Sequence, residues 1–224
     1  MNNPNINRET KKEIVELILN WSENNLRSFP WRKDRTPYKV LLVEFLLKRT
    51  TATAVEGLYD DFVNEYPDIV ALANADREEL EKKLSDIGLQ KQRSKGILEA
   101  SSFIIDEFDG EIPSEREELL KIPHVGPYTA DAVLSFGFGK PAGILDSNIK
   151  RIFSRLYSDE RPHNNDGLKD LVDASVPDEA HDRFNLALLD LGALVCRYDS
   201  PRCQKCPLNP VCDYFEDEYS QLQN

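Results

Sequence analysis

Cysteine is missing from the first 195 residues of this 224-residue chain. That absence leaves no disulfide framework to staple the body of the protein together. Long apolar runs are also missing, so no segment is built to cross a membrane as a helix. Positive charge is scarce: 28 Lys and Arg stand against 40 Asp and Glu, for a net charge of −12 and a pI near 4.8. A balance this acidic argues against a protein that coats nucleic acid indiscriminately, and it would also suit a salty cytoplasm. Local basic clusters remain at Lys48–Arg49, at 91–95, at Lys150–Arg151 and at Arg197, Arg202 and Lys205. The plain reading of each alone is a solvated helix face. The opening stretch, MNNPNINRETKKEIVEL, has no apolar core or cleavage site, so the expectation is a chain that stays in the reducing cytoplasm.

Alternating strand patterns, internal repeats and low-complexity tracts are absent too, and what is present reads as helix. Ile14, Leu17, Ile18 and Trp21 recur at helical spacing. Residues 38–49 are apolar nearly all round, as in a buried central helix. Asp76–Glu79 and Ser114–Glu117 have the pattern of capping boxes. Further helices are expected at 92–108, from Pro127 to Phe136, and at 147–157, 165–175 and 179–195. Short loops are expected at Gly110–Pro113, Gly137–Gly143 and Arg161–Asn165, and a frayed acidic tail after Cys212. The length suits one domain or two small ones.

All four cysteines fall in one stretch near the end, CRYDSPRCQKCPLNPVC, as Cys196, Cys203, Cys206 and Cys212 with the spacing C-x6-C-x2-C-x5-C. Four thiolates from one short segment make a soft, all-sulfur site that suits an iron–sulfur cluster or zinc. Structural zinc sites usually pair two close clips. This stretch has one, which favours the cluster and keeps zinc as the rival. Two disulfides or unliganded thiols are the remaining reading.

A second stretch, Leu120–Val133 (LKIPHVGPYTADAV), reads as helix, tight turn, helix. Such a turn exposes backbone amides that can hold one phosphate whatever the base sequence, though an ordinary helical turn has the same pattern. About twenty residues later, GILDSNIKR places Asp146 at a helix N-cap. A capped carboxylate is also a pinned one. Cleavage of an N-glycosidic bond builds positive charge on the sugar, which a fixed anion stabilises.

The hairpin, the following Asp and the cysteine loop, in that order, resemble the helix-hairpin-helix DNA glycosylase superfamily with an iron–sulfur cluster, to which endonuclease III and the adenine glycosylases belong. Residues 29–53 (FPWRKDRTPYKVLLVEFLLKRTTAT) resemble the opening of the adenine glycosylases and, more closely, of the archaeal T/G-mismatch thymine glycosylases. Ile87–Arg93 (IGLQKQR) and Arg183–Asp190 (RFNLALLD) are similar to the same subgroup.

The resemblance implies an all-α fold of two helical domains with a DNA-binding cleft between them. Residues 30–139 would form a six-helix barrel with the helix-hairpin-helix. Residues 1–29 and 140–224 would form the second domain, carrying a 4Fe-4S cluster on Cys196, Cys203, Cys206 and Cys212. It implies Asp146 as the catalytic carboxylate and Glu44 as a pocket acid able to donate to the departing base; the alternative for Glu44 is a structural ion pair. Tyr128 stands where bifunctional members have a lysine, and tyrosine cannot form a Schiff base, so the implied activity is monofunctional. Lys48, Arg49 and Leu89 lie on the segments of the family's wedge and orphan-base contacts, although Leu89 would also suit a core. Val125 and Gly126 belong to the phosphate-binding hairpin. Arg197 and Arg202 lie in a loop turned to the DNA backbone. Where the family has Pro-Gly-Val-Gly, this chain has His124 in place of the first glycine, at a position that takes positive φ.

The expected partner is double-stranded DNA with a mismatched or damaged base, met by a monomer in a prokaryotic cytoplasm. The leading expectation is removal of thymine or uracil opposite guanine. The rivals are adenine removal opposite 8-oxoguanine, excision of another modified pyrimidine, and a non-catalytic DNA-binding module. Tyr128 and a chain that ends just past the cysteines speak against the first rival, and Asp146 with Tyr128 against the last.

Overall fold

The computed structural model describes residues 8–158 and 164–222, and among them every regular element is helical. The expected break at Arg161–Asn165 falls partly outside the described residues. The chain divides into two compact units, one of residues 28–140 and one joining residues 1–27 to 141–224.

The chain opens with α1 (Arg8–Asn25), which belongs to the discontinuous unit and turns Ile14 and Ile18 into its core. The continuous unit is built around α2 (Pro37–Leu47). Thr36 caps its start, accepting from the Lys39 amide, and Pro37 sits at the first helical position where its missing N–H costs nothing. Every residue from Val40 to Leu46 is buried, so α2 is enclosed on all sides. Around it lie α3 (Ala52–Glu65), α4 (Ile69–Ala73), α5 (Arg77–Lys83) and α6 (Gln90–Phe108), with α6 packed on α2, α4 and α5. Asp76 caps α5 as its spacing predicts, accepting from the amides of Glu78 at 2.9 Å and Glu79 at 3.0 Å.

The hairpin follows as α7 (Arg116–Leu119) and α8 (Pro127–Ala132), and α8 runs on through a π-helical turn at Val133–Gly137. A Cβ on Gly137 would come within 2.8 Å of the Pro37 Cα, so glycine is what lets this turn meet the start of α2. The capping box expected at Ser114 does not form. Glu115 occupies the N-cap of α7 without a side-chain bond. Lys140 instead binds the Ser114 carbonyl and lies 3.0 Å from the Glu115 carboxylate, so the Glu115 side chain is engaged away from the amides of α7.

The other unit adds α9 (Ser147–Leu156), α10 (Asn165–Ser175), α11 (His181–Leu194) and α12 (Asp213–Leu222) to α1. Ile149, Ile152, Phe153 and Leu156 form one apolar stripe on α9, which packs on α10, α11 and α12. Asp190, fully buried on α11, accepts from the Arg27 amide at 2.8 Å and the Arg27 guanidinium at 2.6 Å, tying the segment after α1 to this core. The expected frayed tail is instead α12. It is anchored where the Arg155 guanidinium lies 4.9 Å from the Tyr214 ring centroid.

Candidate functional site

Asp146 is held at both oxygens. It is the N-cap of α9, with extended backbone, and one oxygen accepts from the Ile149 amide at 2.7 Å. The other accepts from the Asn148 side-chain amide at 2.9 Å. Asn148 in turn accepts from Arg151 at 2.8 Å, and Arg151 also binds the carbonyls of Gly192 at 2.8 Å and Cys196 at 2.7 Å. A continuous line of hydrogen bonds therefore runs from the carboxylate to the first cysteine of the loop. Gly192 makes room for it, because a Cβ there would stand 2.5 Å from the Asn148 Cβ. The strand of chain leading into Asp146 is fixed as well: the Gly143 amide donates to Asp173 at 3.0 Å, and the Asn185 side chain donates to the Ala142 carbonyl at 2.8 Å.

The four cysteines carry no disulfide and line one pocket, walled by Ile152, Leu156, Leu191, Val195 and Leu208. Burial, reinforced by the neighbouring sulfurs, pushes the Cys206 thiol up to about 12 and raises that of Cys212. Among the described residues, no group of three or more His, Cys, Asp or Glu is arranged to hold a metal ion. Arg155 organises the loop, donating to the Cys196 sulfur at 3.3 Å and to the carbonyls of Arg197 at 2.7 Å and Tyr198 at 3.0 Å. Arg197 and Arg202 are exposed, with the exposed Tyr198 between them in the chain. Sequence reasoning passed over Arg155. Its one signal was its place four residues after Arg151, on the same face of α9.

In the continuous unit, Glu44 is buried at 8% exposure on α2, and α2 packs against α8, which carries the half-buried Tyr128. One turn beyond Glu44, burial pushes the Lys48 amine below its usual value against the pull of the Glu44 carboxylate. Lys48 lies 4.4 Å from the Phe45 ring centroid and donates to the His124 carbonyl at 2.6 Å.

His124 has φ of 65°, the left-handed conformation that the resemblance anticipated for the missing glycine. Its ring packs on Gly96 of α6, and its Nε2 lies 2.6 Å from Glu99. Gly126 has extended backbone with open space beside its Cα, so its own conformation does not require glycine. The Val125 side chain is buried and its amide is taken by the Ile122 carbonyl at 3.1 Å, so the amides at the mouth of α8 begin with Gly126.

Lys48, Arg49 and Leu89 come together around one open cavity of about 410 Å³, whose other walls include Arg93, Gly96 and His124. Leu89 is 42% exposed, which excludes the core reading. Leu89 and Arg49 have φ of 54° and 55°. L-residues with side chains of this size pay about 1–2 kcal/mol each to sit there.

Three likenesses place this geometry among known proteins. The chain is 34% identical over 209 residues to the thymine/uracil-DNA glycosylase of Methanothermobacter thermautotrophicus, covering 92% of this chain and 95% of that one. A solved thermostable thymine-DNA glycosylase superposes with a TM-score of 0.89 at 34% identity, over 93% of this chain and 98% of the other. Endonuclease III in a non-covalent DNA complex shares the fold, with a TM-score of 0.82 at 23% identity over 96% and 99% of the two chains. Residues 42–173 match the model of the HhH-GPD superfamily base excision DNA repair proteins, and the chain belongs to that family.

Proposed function

We propose that this chain is a monofunctional DNA glycosylase that extrudes thymine or uracil mispaired with guanine, removes it and leaves an abasic site. The observation that carries the reading is the carboxylate of Asp146, pinned through both oxygens at the start of α9. Breaking the N1–C1′ bond sends the bonding electrons out with the pyrimidine and leaves positive charge on the sugar. A carboxylate fixed beforehand meets that charge without reorganising, an effect worth about 10²–10³ in rate. Water then adds to C1′ and gives up a proton, which Asp146 is suited to accept.

Glu44, buried in an apolar helix, donates to an oxygen of the departing base. Tyr128 offers no amine, so no Schiff base forms and the backbone stays intact. The base must leave the stack before its bond can be reached, and Leu89 with Arg49 fills the gap while Lys48 braces the hairpin from behind. The free backbone amide of Gly126, beside the Val125 whose own amide is already bonded within the hairpin, and the exposed Arg197 and Arg202 are suited to hold phosphates. The names borne by the similar proteins, thymine and uracil glycosylases, support this substrate class.

Cys196, Cys203, Cys206 and Cys212 are suited to hold a 4Fe-4S cluster, since all four thiols line one pocket with apolar walls. When bound, the cluster supplies a rigid cross-link for the loop that presents Arg197 and Arg202. The protein acts as a monomer on cytoplasmic, nucleoid DNA.

Duplexes carrying G·T, G·U, A·8-oxoguanine or only matched pairs test this reading, each incubated with the protein and then treated with or without alkali. Strand cutting at G·T and G·U, only after alkali, is expected. Cutting without alkali would contradict the role of Tyr128, and excision only at A·8-oxoguanine would replace the substrate. Iron and sulfide in the purified protein are expected. Stoichiometric zinc would overturn the cluster.

A further inference from the structure

Arg93 is a buried cation whose guanidinium, among the described residues, binds backbone carbonyls alone. At 5% exposure on α6, it donates to the carbonyls of Phe45, Lys48 at 2.9 Å, Ile87 at 3.4 Å and Gly88 at 3.3 Å. Among the described residues no carboxylate pairs with it, and burial pushes its pKa down. A charge taken out of water this way costs stability unless every donor is used.

The carbonyls it gathers are not scattered. Two belong to the end of α2 and two to the turn before α6, and each pair immediately precedes an L-residue in left-handed conformation. Lys48 leads to Arg49 with φ of 55°, and Gly88 leads to Leu89 with φ of 54°. Both strained residues are exposed, and both stand on the rim of the same cavity, of which Arg93 forms part of the wall. The ends of α2 carbonyls also present partial negative charge, which is what stabilises a cation with no acid beside it.

We infer that Arg93 is a positioning residue, a clamp that holds the α2 end and the 87–89 turn together so that Arg49 and Leu89 are presented in fixed, strained conformations to the DNA duplex. The inference rests on the glycosylase reading above. Arg93 touches neither the base nor the sugar. It acts through the two residues it sets in place, so that no conformational freedom is lost there when the duplex is opened. Lysine cannot replace it, because one ammonium cannot reach both carbonyl pairs in the fork geometry of a guanidinium.

A mutant cycle on single-turnover excision from a G·U duplex tests this. Arg93→Lys is expected to slow excision roughly tenfold. The Arg49→Ala/Leu89→Ala double variant is expected to be slow as well. Adding Arg93→Lys to that double variant is expected to cost less than about twofold more, because the clamp then has nothing to present. If Arg93→Lys slows the double variant by its full factor, the clamp is overturned, since a general structural role would multiply through.

Amide hydrogen exchange gives an independent arm. Faster exchange in Arg93→Lys confined to 48–50 and 87–90 is expected, whereas a uniform rise across residues 28–140 would overturn the proposal. Arg93→Gln carries both arms if the lysine variant does not fold. A wild-type protein that excises no mispaired base would sink the glycosylase reading itself, while normal excision with a multiplicative cycle sinks only the clamp.

Discussion

At the scale of single residues, the proposed chemistry rests on side chains that are held, and the holding is done by residues with no chemistry of their own. Asp146 could be picked out from the sequence because an N-cap Asp has a local signature. Gly192 and Asn148 could not, because their roles come from a contact between α9 and α11 that spans more than forty residues. A methyl group at position 192 would stand 2.5 Å from the Asn148 Cβ and push the amide off the carboxylate. Gly192→Ala is therefore expected to lower the excision rate constant about tenfold or more, with duplex affinity nearly unchanged, and to destabilise the fold by about 1–3 kcal/mol. Single-turnover kinetics beside binding isotherms check it. An affinity loss with the rate constant intact would mean that Asn148 does not act through Asp146.

At the scale of elements, the hairpin shows how a departure from the family pattern is accommodated. The left-handed position for which the resemblance leads to glycine is held by His124, and its cost is offset by three neighbours. These are Lys48 on the carbonyl, Gly96 under the ring and Glu99 on Nε2. The φ of 65° could be expected from the sequence. The neighbours could not, since α2, α6 and the hairpin meet only in three dimensions.

The ionic part of this latch has a defined pH dependence. His124, and after it Lys95, hold the Glu99 carboxyl below the usual carboxylate range. The unfolded chain therefore binds a proton at Glu99 before the folded one does. The stabilisation is present above the unfolded pKa, near 4.3, and is lost as pH falls through the depressed folded value. Melting temperatures of the wild type and His124→Gly between about pH 6 and 3 check it. The wild type is expected to lose more, and parallel losses would show that the latch contributes nothing ionic.

At the scale of the whole molecule, the proposed function asks a chain of net charge −12 to meet an acidic polymer through a few placed cations rather than through its net charge. The helical class, the enclosed α2 and the capped α9 could all be read from periodicity and caps. The tail after Cys212 could not, because its helix is anchored by Tyr214 against Arg155, a contact invisible in a polar, acidic string. Arg93 and Arg155 stayed hidden for a related reason: an arginine that binds distant carbonyls leaves no pattern along the chain.

The central claim, that Asp146 drives excision of a mispaired pyrimidine, is tested most directly by single-turnover uracil release from a G·U duplex with wild type and Asp146→Asn. The account predicts that the variant binds the duplex with near wild-type affinity and releases uracil about 10²–10³ times more slowly or not at all. Uracil release by Asp146→Asn within about tenfold of wild type would contradict it.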